Sequence, residues 1–303
     1  MICERPNHMR TDLLLPLVLP ILALTFTSAA QGQILRGAVA DAGSGEPLAY
    51  VHIGVLNKNM GVISREDGAF ELDLSGALPS DTLVFSMIGY YSRKFSIGGL
   101  AAGPLQVEMK VRGYSLTEVT VRDSPLFRPT GRTARLGRTK PTRTTTGSTG
   151  TGQYGLGGEW GIRIFTDGKI YRLKDIRFHH RWNSLDSILY RINIYELEGE
   201  LPGATLLSRE LFVKCYNGDK WVGKEVEEER IYLHQDVVVS IEIVQRWYSD
   251  KTNNSLFYSH GRGYAQSKTY HRASSQDQWQ VWDNPPLTLY LDVEECEPRP
   301  GGR

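Results

Sequence analysis

Residues 67–90 read DGAFELDLSGALPSDTLVFSMIGY, and this stretch decides the fold class of the first part of the chain. It contains two short apolar runs separated by Gly, Pro, Ser and Asp residues, which are typical of turns. The Asp67-Gly68 pair predicts a tight turn with Phe70 entering the core, because Gly adopts positive φ without strain. Comparable runs recur at a spacing of roughly 8–12 residues, and no segment shows a helical apolar period. The pattern predicts a small antiparallel β-sandwich.

Length and charge bound what the whole chain can be. The 303 residues suffice for two modest domains, and they are too few for an outer-membrane receptor barrel with its plug. The 35 Lys and Arg nearly balance the 34 Asp and Glu, so no global field favours nucleic acid or a membrane surface. The 31 Gly residues indicate many turns and short strands. Composition alone therefore predicts a turn-rich β protein and no particular function.

An ordered set of motifs runs through residues 34–121. It comprises Gly37-x-Val39-x-Asp41, Gly45-Glu46-Pro47-Leu48-Ala49-x-Val51, Gly61, Asp67-Gly68-x-Phe70 and Asp81-x-Leu83-x-Phe85-x-x-Ile88-Gly89-Tyr90. With these motifs the segment resembles the carboxypeptidase-regulatory-like domain, a transthyretin-like β-sandwich of exported proteins in Bacteroidetes-type bacteria. The ending at 116–121 is similar to the segment that closes this domain before a receptor plug. The resemblance implies a sandwich over 33–121 and no peptidase activity.

Residues 1–32 have the order of a secretory signal peptide. A weakly basic start precedes an apolar run at 13–26, and small residues follow at 28–30. No Cys directly follows the predicted cleavage point, so no lipid anchor is predicted, and no transmembrane segment is predicted in the mature chain. We expect export to the periplasm, the outer-membrane periphery or the extracellular space.

The composition changes at residues 122–156. Seven Lys and Arg face one Asp here, three Pro interrupt the segment, and a Thr- and Gly-rich stretch follows at 144–152. Because such a segment offers almost no core-forming side chains, it predicts a flexible basic linker. Its charge also suggests contact with an anionic polymer of the cell envelope, although a merely solvated tether explains the same composition.

Residues 157–296 predict a larger, jelly-roll-like β-sandwich, followed by a disordered tail at 297–303. Strand-like runs recur here, and the run at 237–244 changes from continuous apolar residues to alternation. This half holds all six Trp. It resembles the uncharacterised second sandwich of exported two-domain proteins, a resemblance that implies no activity. The complete fold prediction is an all-β chain: small transthyretin-like sandwich, flexible basic linker, larger sandwich.

The sequence offers no constellation for catalysis, metal or cofactor. A zinc carboxypeptidase site needs His-x-x-Glu, and none of the histidines of the predicted mature chain is followed by Glu at the third position. His179 and His180 are adjacent, so on a strand they point to opposite faces and do not share a metal. We therefore predict that the protein is not an enzyme and carries no catalytic residue, metal or cofactor.

Two sets of residues remain as candidates, one for glycan binding and one for a disulfide bond. Exposed aromatics at strand ends stack on sugar rings, which makes Trp182, Trp247, Tyr248 and Trp282 candidate glycan-binding residues. Packing in the core or at the rim of the sandwich is the alternative, and it is the commoner role of such rings. Cys215 and Cys296 form a disulfide in one interpretation and are unpaired, packed thiols in the other.

The function predicted from these features is that of a non-catalytic exported cell-envelope protein, a structural and binding module with a protein or glycan partner and no nucleic-acid partner. One alternative is a glycan-binding protein that uses the C-terminal aromatics. The other is an accessory or component of carboxypeptidase-related activity.

Overall fold

A computed structural model describes residues 34–112, 126–149, 156–250, 255–262, 268–283 and 287–299. The predicted signal peptide and the segment at 116–121 lie outside these residues. The described chain consists of 21 β-strands and two single turns of 3-10 helix, Ile97–Gly99 and Glu227–Glu229, which confirms the all-β fold class. Within these ranges no helix has the length and apolar character to cross a membrane.

The first seven strands form the small sandwich. They are β1 (Ile34–Asp41), β2 (His52–Val55), β3 (Gly61–Ile63), β4 (Ala69–Asp73), β5 (Thr82–Ser86), β6 (Arg93–Ser96) and β7 (Leu105–Met109). One sheet has the order β4-β1-β7 and the other β3-β2-β5-β6. Apolar residues of both sheets, including Val39 and Phe85, are fully buried between them.

The turn before β4 forms as the sequence predicts. Gly68 has a φ of 74°, and a Cβ there would lie 2.4 Å from the carbonyl oxygen of Val39, so only Gly fits. The backbone N–H of Ala69 donates to the Asp67 carboxylate at 3.0 Å. Phe70 is 3% exposed and packs on Phe85, which confirms its place in the core.

Fourteen strands form the larger sandwich. They are β8 (Phe127–Gly137), β9 (Lys140–Thr149), β10 (Glu159–Ile164), β11 (Ile170–Asn183), β12 (Ser187–Glu198), β13 (Leu201–Thr205), β14 (Leu211–Tyr216), β15 (Trp221–Glu225), β16 (Tyr232–Leu233), β17 (Val237–Trp247), β18 (Ser255–Arg262), β19 (Thr269–Arg272), β20 (Gln280–Trp282) and β21 (Leu289–Pro298). The front sheet has the order β13-β12-β17-β10-β19-β20, with β14 also paired to β12. The back sheet has the order β8-β21-β11-β18-β9, with β15 and β16 also paired to β11. Apolar residues of both sheets share one core.

The prediction of a flexible linker is wrong for residues 127–149. These residues form the two edge strands of the back sheet, β8 along β21 and β9 along β18. Backbone ladders with β21 and β18 hold these strands, and on β8 charge pairs accompany the ladder: Arg128 lies 2.7 Å from Glu297, and Arg135 lies 2.7 Å from Asp292. Arg128, Arg132 and Arg135, three of the basic residues that suggested a solvated tether, thus face acidic residues of the last strand.

The same pairing corrects the predicted tail. Glu297 and Pro298 belong to β21, and Pro298 stands opposite Phe127. The backbone N–H of Arg299 donates to the carbonyl of Leu126 at 2.7 Å. The chain therefore remains in the sheet to residue 298 because β8 supplies a partner strand.

The two cysteines are free in the structure, so the disulfide interpretation is wrong and the packed-thiol alternative holds. Cys215 lies on β14 of the front sheet and Cys296 on β21 of the back sheet, and both are buried. Burial raises the pKa of the Cys215 thiol to about 12, which keeps it protonated and unreactive.

Candidate functional site

A polar row crosses the outer face of the front sheet. On β12 the side chains of Arg191, Asn193 and Tyr195 alternate with core isoleucines, and Glu242 of β17 stands opposite Arg191. Such a face would ordinarily meet water. Here Arg191 and Glu242 are 0% exposed, because the small sandwich covers them. The candidate site is this buried polar interface between the two sandwiches.

Arg191 joins the two sandwiches. Its Nη1 donates to the Glu242 Oε2 at 3.0 Å, and its Nε lies 2.6 Å from the Glu210 Oε2, both within the larger sandwich. Its Nη2 donates to the backbone carbonyl of Tyr50, and its Nη1 contacts the imidazole of His52, both in the small sandwich. One buried guanidinium therefore connects four residues across the interface.

His52 and Glu242 form a second bridge. The His52 Nε2 lies 2.8 Å from the Glu242 Oε1. Burial by itself would raise the pKa of Glu242, but the charges of Arg191 and His52 outweigh it and lower the pKa to about 2. Glu242 is therefore a carboxylate at neutral pH, and it is stabilised by partners from both sandwiches.

A second ion pair lies beside the first. Arg272 donates from Nε to the Glu159 Oε1 at 2.8 Å, and Glu159 also accepts from Tyr195, Asn193 and Ser240. Burial alone would lower the pKa of Arg272, yet the Glu159 carboxylate raises it above the ordinary value. Each buried charge thus has a counter-charge and hydrogen bonds, which is the condition for keeping ions in an interior.

Neutral contacts complete the interface. The Tyr50 hydroxyl donates to the Gln245 side chain at 2.6 Å. The Gln276 side chain donates to Ser86 at 3.0 Å, and its backbone carbonyl accepts from the N–H of Asn57 at 2.8 Å. Neutral hydrogen bonds therefore join the two sandwiches beside the ion pairs.

A cleft of about 500 Å³ opens where the two sandwiches meet. The small sandwich contributes His52 and the loop at 86–92, and the larger one contributes Asn193, Tyr195 and Arg272. This volume lies within the usual range of small-molecule sites.

The predicted glycan-binding residues do not form one group. Trp182 is the last residue but one of β11 and is 55% exposed. Trp247 ends β17, with the Lys214 ammonium 4.0 Å from its ring centre. Tyr248 packs partly against the core. Trp282 lies on β20, separated from β17 by β10 and β19, and stacks on His271 at 5.0 Å. The structure places Trp182 and Trp247 on either side of the turn at 184–186 and Trp282 elsewhere.

The adjacent histidines point to opposite faces of β11, as the strand geometry predicts. His179 contacts the Ser259 hydroxyl at 2.9 Å, whereas His180 is buried against the Tyr190 hydroxyl at 2.9 Å. Burial lowers the pKa of His180 to about 4, so it is neutral at physiological pH. Within the described ranges no three His, Cys, Asp or Glu side chains gather in a metal-binding arrangement.

The interface residues were missed by sequence reasoning. The sequence predicted strands here, and the run at 237–244, which holds Glu242, was predicted from its change to alternation. The available signal was the presence of Glu159, Arg191 and Glu242 inside otherwise apolar strands, since charged residues there need counter-charges. Nothing local to the sequence pairs them with Tyr50 and His52.

Comparison with known families identifies the small sandwich. Residues 35–122 match the CarboxypepD_reg-like domain, which confirms the resemblance seen in the sequence. This family is non-catalytic. The match covers the first sandwich.

Over its whole length the chain has only distant similarity to known proteins. No curated protein matches this sequence significantly. Among solved structures, the major pilin subunit BcpA of Bacillus cereus, in its D312A form, is 9% identical, covering 84% of this chain and 68% of that chain, with a TM-score of 0.19. The infectious bursal disease virus Gx strain structure is 11% identical, covering 88% of this chain and 65% of that chain, with a TM-score of 0.26. The chain thus spans about two thirds of these structures, and such low scores support no functional argument.

Proposed function

We propose that this chain is a non-catalytic module of the cell envelope, exported through residues 1–32, in which the two sandwiches act as one structural and binding unit. The observation that carries the proposal is the buried contact of Arg191 with Glu242 and Glu210 on one side and with Tyr50 and His52 on the other.

Separation of the sandwiches would disrupt this network. The Arg191 guanidinium and the Glu242 carboxylate would lose the contacts that Tyr50 and His52 provide. The CarboxypepD_reg-like sandwich therefore acts as a cover that fixes the front sheet of the larger sandwich. A protein or glycan partner in the envelope would then meet a rigid two-sandwich surface.

Export is tested by cell fractionation combined with N-terminal sequencing. We expect an envelope or extracellular protein that begins after Ala30 or Gly32. A variant with Leu14→Arg and Val18→Arg interrupts the apolar run and should remain uncleaved in the cytoplasm. An uncleaved wild-type chain in the cytoplasm would contradict the proposal.

The non-catalytic part is tested with a peptide panel. The purified chain should leave C-terminal residues of all peptides intact. Hydrolysis that co-purifies with the chain and stops on chelation would favour the alternative, a component of carboxypeptidase-related activity.

Glycan binding by surface aromatics is a second candidate function, favoured by the 55% exposure of Trp182 near the end of β11. Exposed rings of this kind offer an apolar face to a pyranose. Glycan-array signals should fall in Trp182→Ala and Trp247→Ala and persist in Trp282→Ala, which lies in a different place. A silent array would dispose of this candidate.

A further inference from the structure

We infer that the cleft between the two sandwiches binds a small, uncharged, hydroxyl-rich molecule of mono- or disaccharide size. This site differs from the surface aromatics, because none of Trp182, Trp247, Tyr248 and Trp282 lines it. The inference rests on the proposed function in one respect: the cleft exists only while the two sandwiches stay together.

The chemistry of the lining favours hydroxyl groups. Among the described residues that line the cleft there is no Asp or Glu, and most polar side chains are hydroxyls or amides, including those of Ser86, Ser92, Asn193 and Gln276. Each of these groups both donates and accepts hydrogen bonds, as a sugar hydroxyl does. The rings of Tyr90 and Tyr195 also line the cleft and add apolar contact area.

The charges at the back wall of the cleft, the wall that Arg272 forms, argue against an anionic ligand. Arg272 lines the cleft, but the Glu159 carboxylate already neutralises it. Arg191, behind it, is likewise matched by Glu242, so the positive charge that remains on the lining is that of Arg112, which is exposed. An anionic ligand would therefore lose hydration and meet a counter-charge only at Arg112, where water and salt screen the attraction, whereas a neutral polyol needs no counter-charge.

One donor at the back wall is available to such a ligand. The Arg272 Nη1 donates to the backbone carbonyl of Ser275 at 2.6 Å. Its second N–H has no acceptor among the described residues. Because Glu159 and Tyr195 hold the guanidinium in place, Arg272 is a fixed part of the cleft lining.

The experiment is calorimetric titration of the mature chain with D-glucose, D-galactose, D-mannose, N-acetyl-D-glucosamine, maltose and lactose, with D-glucuronate and inorganic phosphate as anionic probes. We expect at least one neutral sugar to bind about tenfold more tightly than either anion, a difference of about 1.4 kcal/mol. Ser92→Trp places a bulky ring in the cleft and should weaken binding at least tenfold. Ser80→Trp, at an exposed position of the same sandwich outside the cleft, is the matched control and should leave binding unchanged.

Three results would overturn the inference: no neutral sugar binds, an anion binds more tightly, or Ser92→Trp binds as the wild type does. Loss of binding in Trp182→Ala with retention in Ser92→Trp would instead place the sugar on the surface aromatics. Thermal unfolding of the same samples keeps the two proposals apart. A chain that unfolds as one unit and binds no sugar refutes this inference alone, whereas independently unfolding sandwiches refute the proposed function.

Discussion

Replacing Arg191 by Met should destabilise the folded chain strongly. The guanidinium is fully buried, and its Nη1 lies 3.0 Å from the Glu242 carboxylate. At an effective dielectric constant near 20, two unit charges at this distance attract by about 5.5 kcal/mol before desolvation is subtracted. Removal of one partner of a buried ion pair typically costs about 3–5 kcal/mol, because the other charge remains buried. We expect a loss in this range.

The matched control is Arg36→Met. Arg36 makes a contact of the same kind, Nε to the Glu71 Oε2 at 3.0 Å, but the two side chains are 61% and 45% exposed. An exposed pair of this sort contributes about 0–1 kcal/mol. The pair of variants therefore compares one contact geometry in two environments, buried at the interface and exposed on the small sandwich.

The assay is urea unfolding of both variants and of the wild type, followed by tryptophan fluorescence. Adding Glu242→Gln to Arg191→Met should recover part of the lost stability, because it removes the unpaired charge. The reasoning is refuted if Arg191→Met and Arg36→Met differ by less than about 1 kcal/mol, or if the double variant is as unstable as the sum of the single ones.

Four further outcomes follow from the same structure. Because the pKa of Glu242 is lowered from 4.5 to about 2, its contribution is fully present above pH 4.5 and is lost as pH falls toward 2, so Glu242→Gln should flatten the stability profile in that window. The pKa of His180 is lowered from 6.5 to about 4. The free energy of unfolding of the wild type should therefore also decrease as the pH drops from 6.5 to 4, and it should decrease less in His180→Gln. Gly137 has a φ of 107° and no room for a Cβ beside the Leu289 carbonyl at 2.6 Å, so Gly137→Val should cost about 1–3 kcal/mol in urea unfolding. Alkylation without reductant, read by mass spectrometry, should label Cys215 and Cys296 only after denaturation; a bond between them would leave both unlabelled even then.

The small sandwich could be predicted because its signals are local. Asp67-Gly68 needs only the conformational freedom of Gly to form its turn, and Phe70 needs only the alternation of β4 to reach the core. Both follow from residues close together in the sequence.

The edge strands of the larger sandwich were mispredicted because their stabilising partners are distant. Arg128 and Arg135 look like linker residues until Glu297 and Asp292 are placed opposite them, more than 150 residues later. The composition of a segment gives its charge but not the register in which it pairs with another strand. A basic edge strand that pairs with an acidic strand therefore has the same composition as a solvated linker.

The interface between the two sandwiches could not be predicted from the sequence for a similar reason. Arg191 and Glu242 sit at alternating positions that ordinarily face water, and only the covering sandwich makes them buried. The candidate aromatics Trp182 and Trp247, in contrast, do lie near strand ends, as the sequence predicted. Trp282 lies apart from them on β20, because strand position in the sheet cannot be inferred from the local sequence.

Differential scanning calorimetry of the mature chain tests the central claim most directly, namely that the buried ions make two sandwiches one unit. We expect a single transition whose calorimetric and van't Hoff enthalpies agree, because Arg191 and Glu242 cannot lose their partners in one sandwich without destabilising the other. Two separate transitions in the wild type at neutral pH would contradict the account.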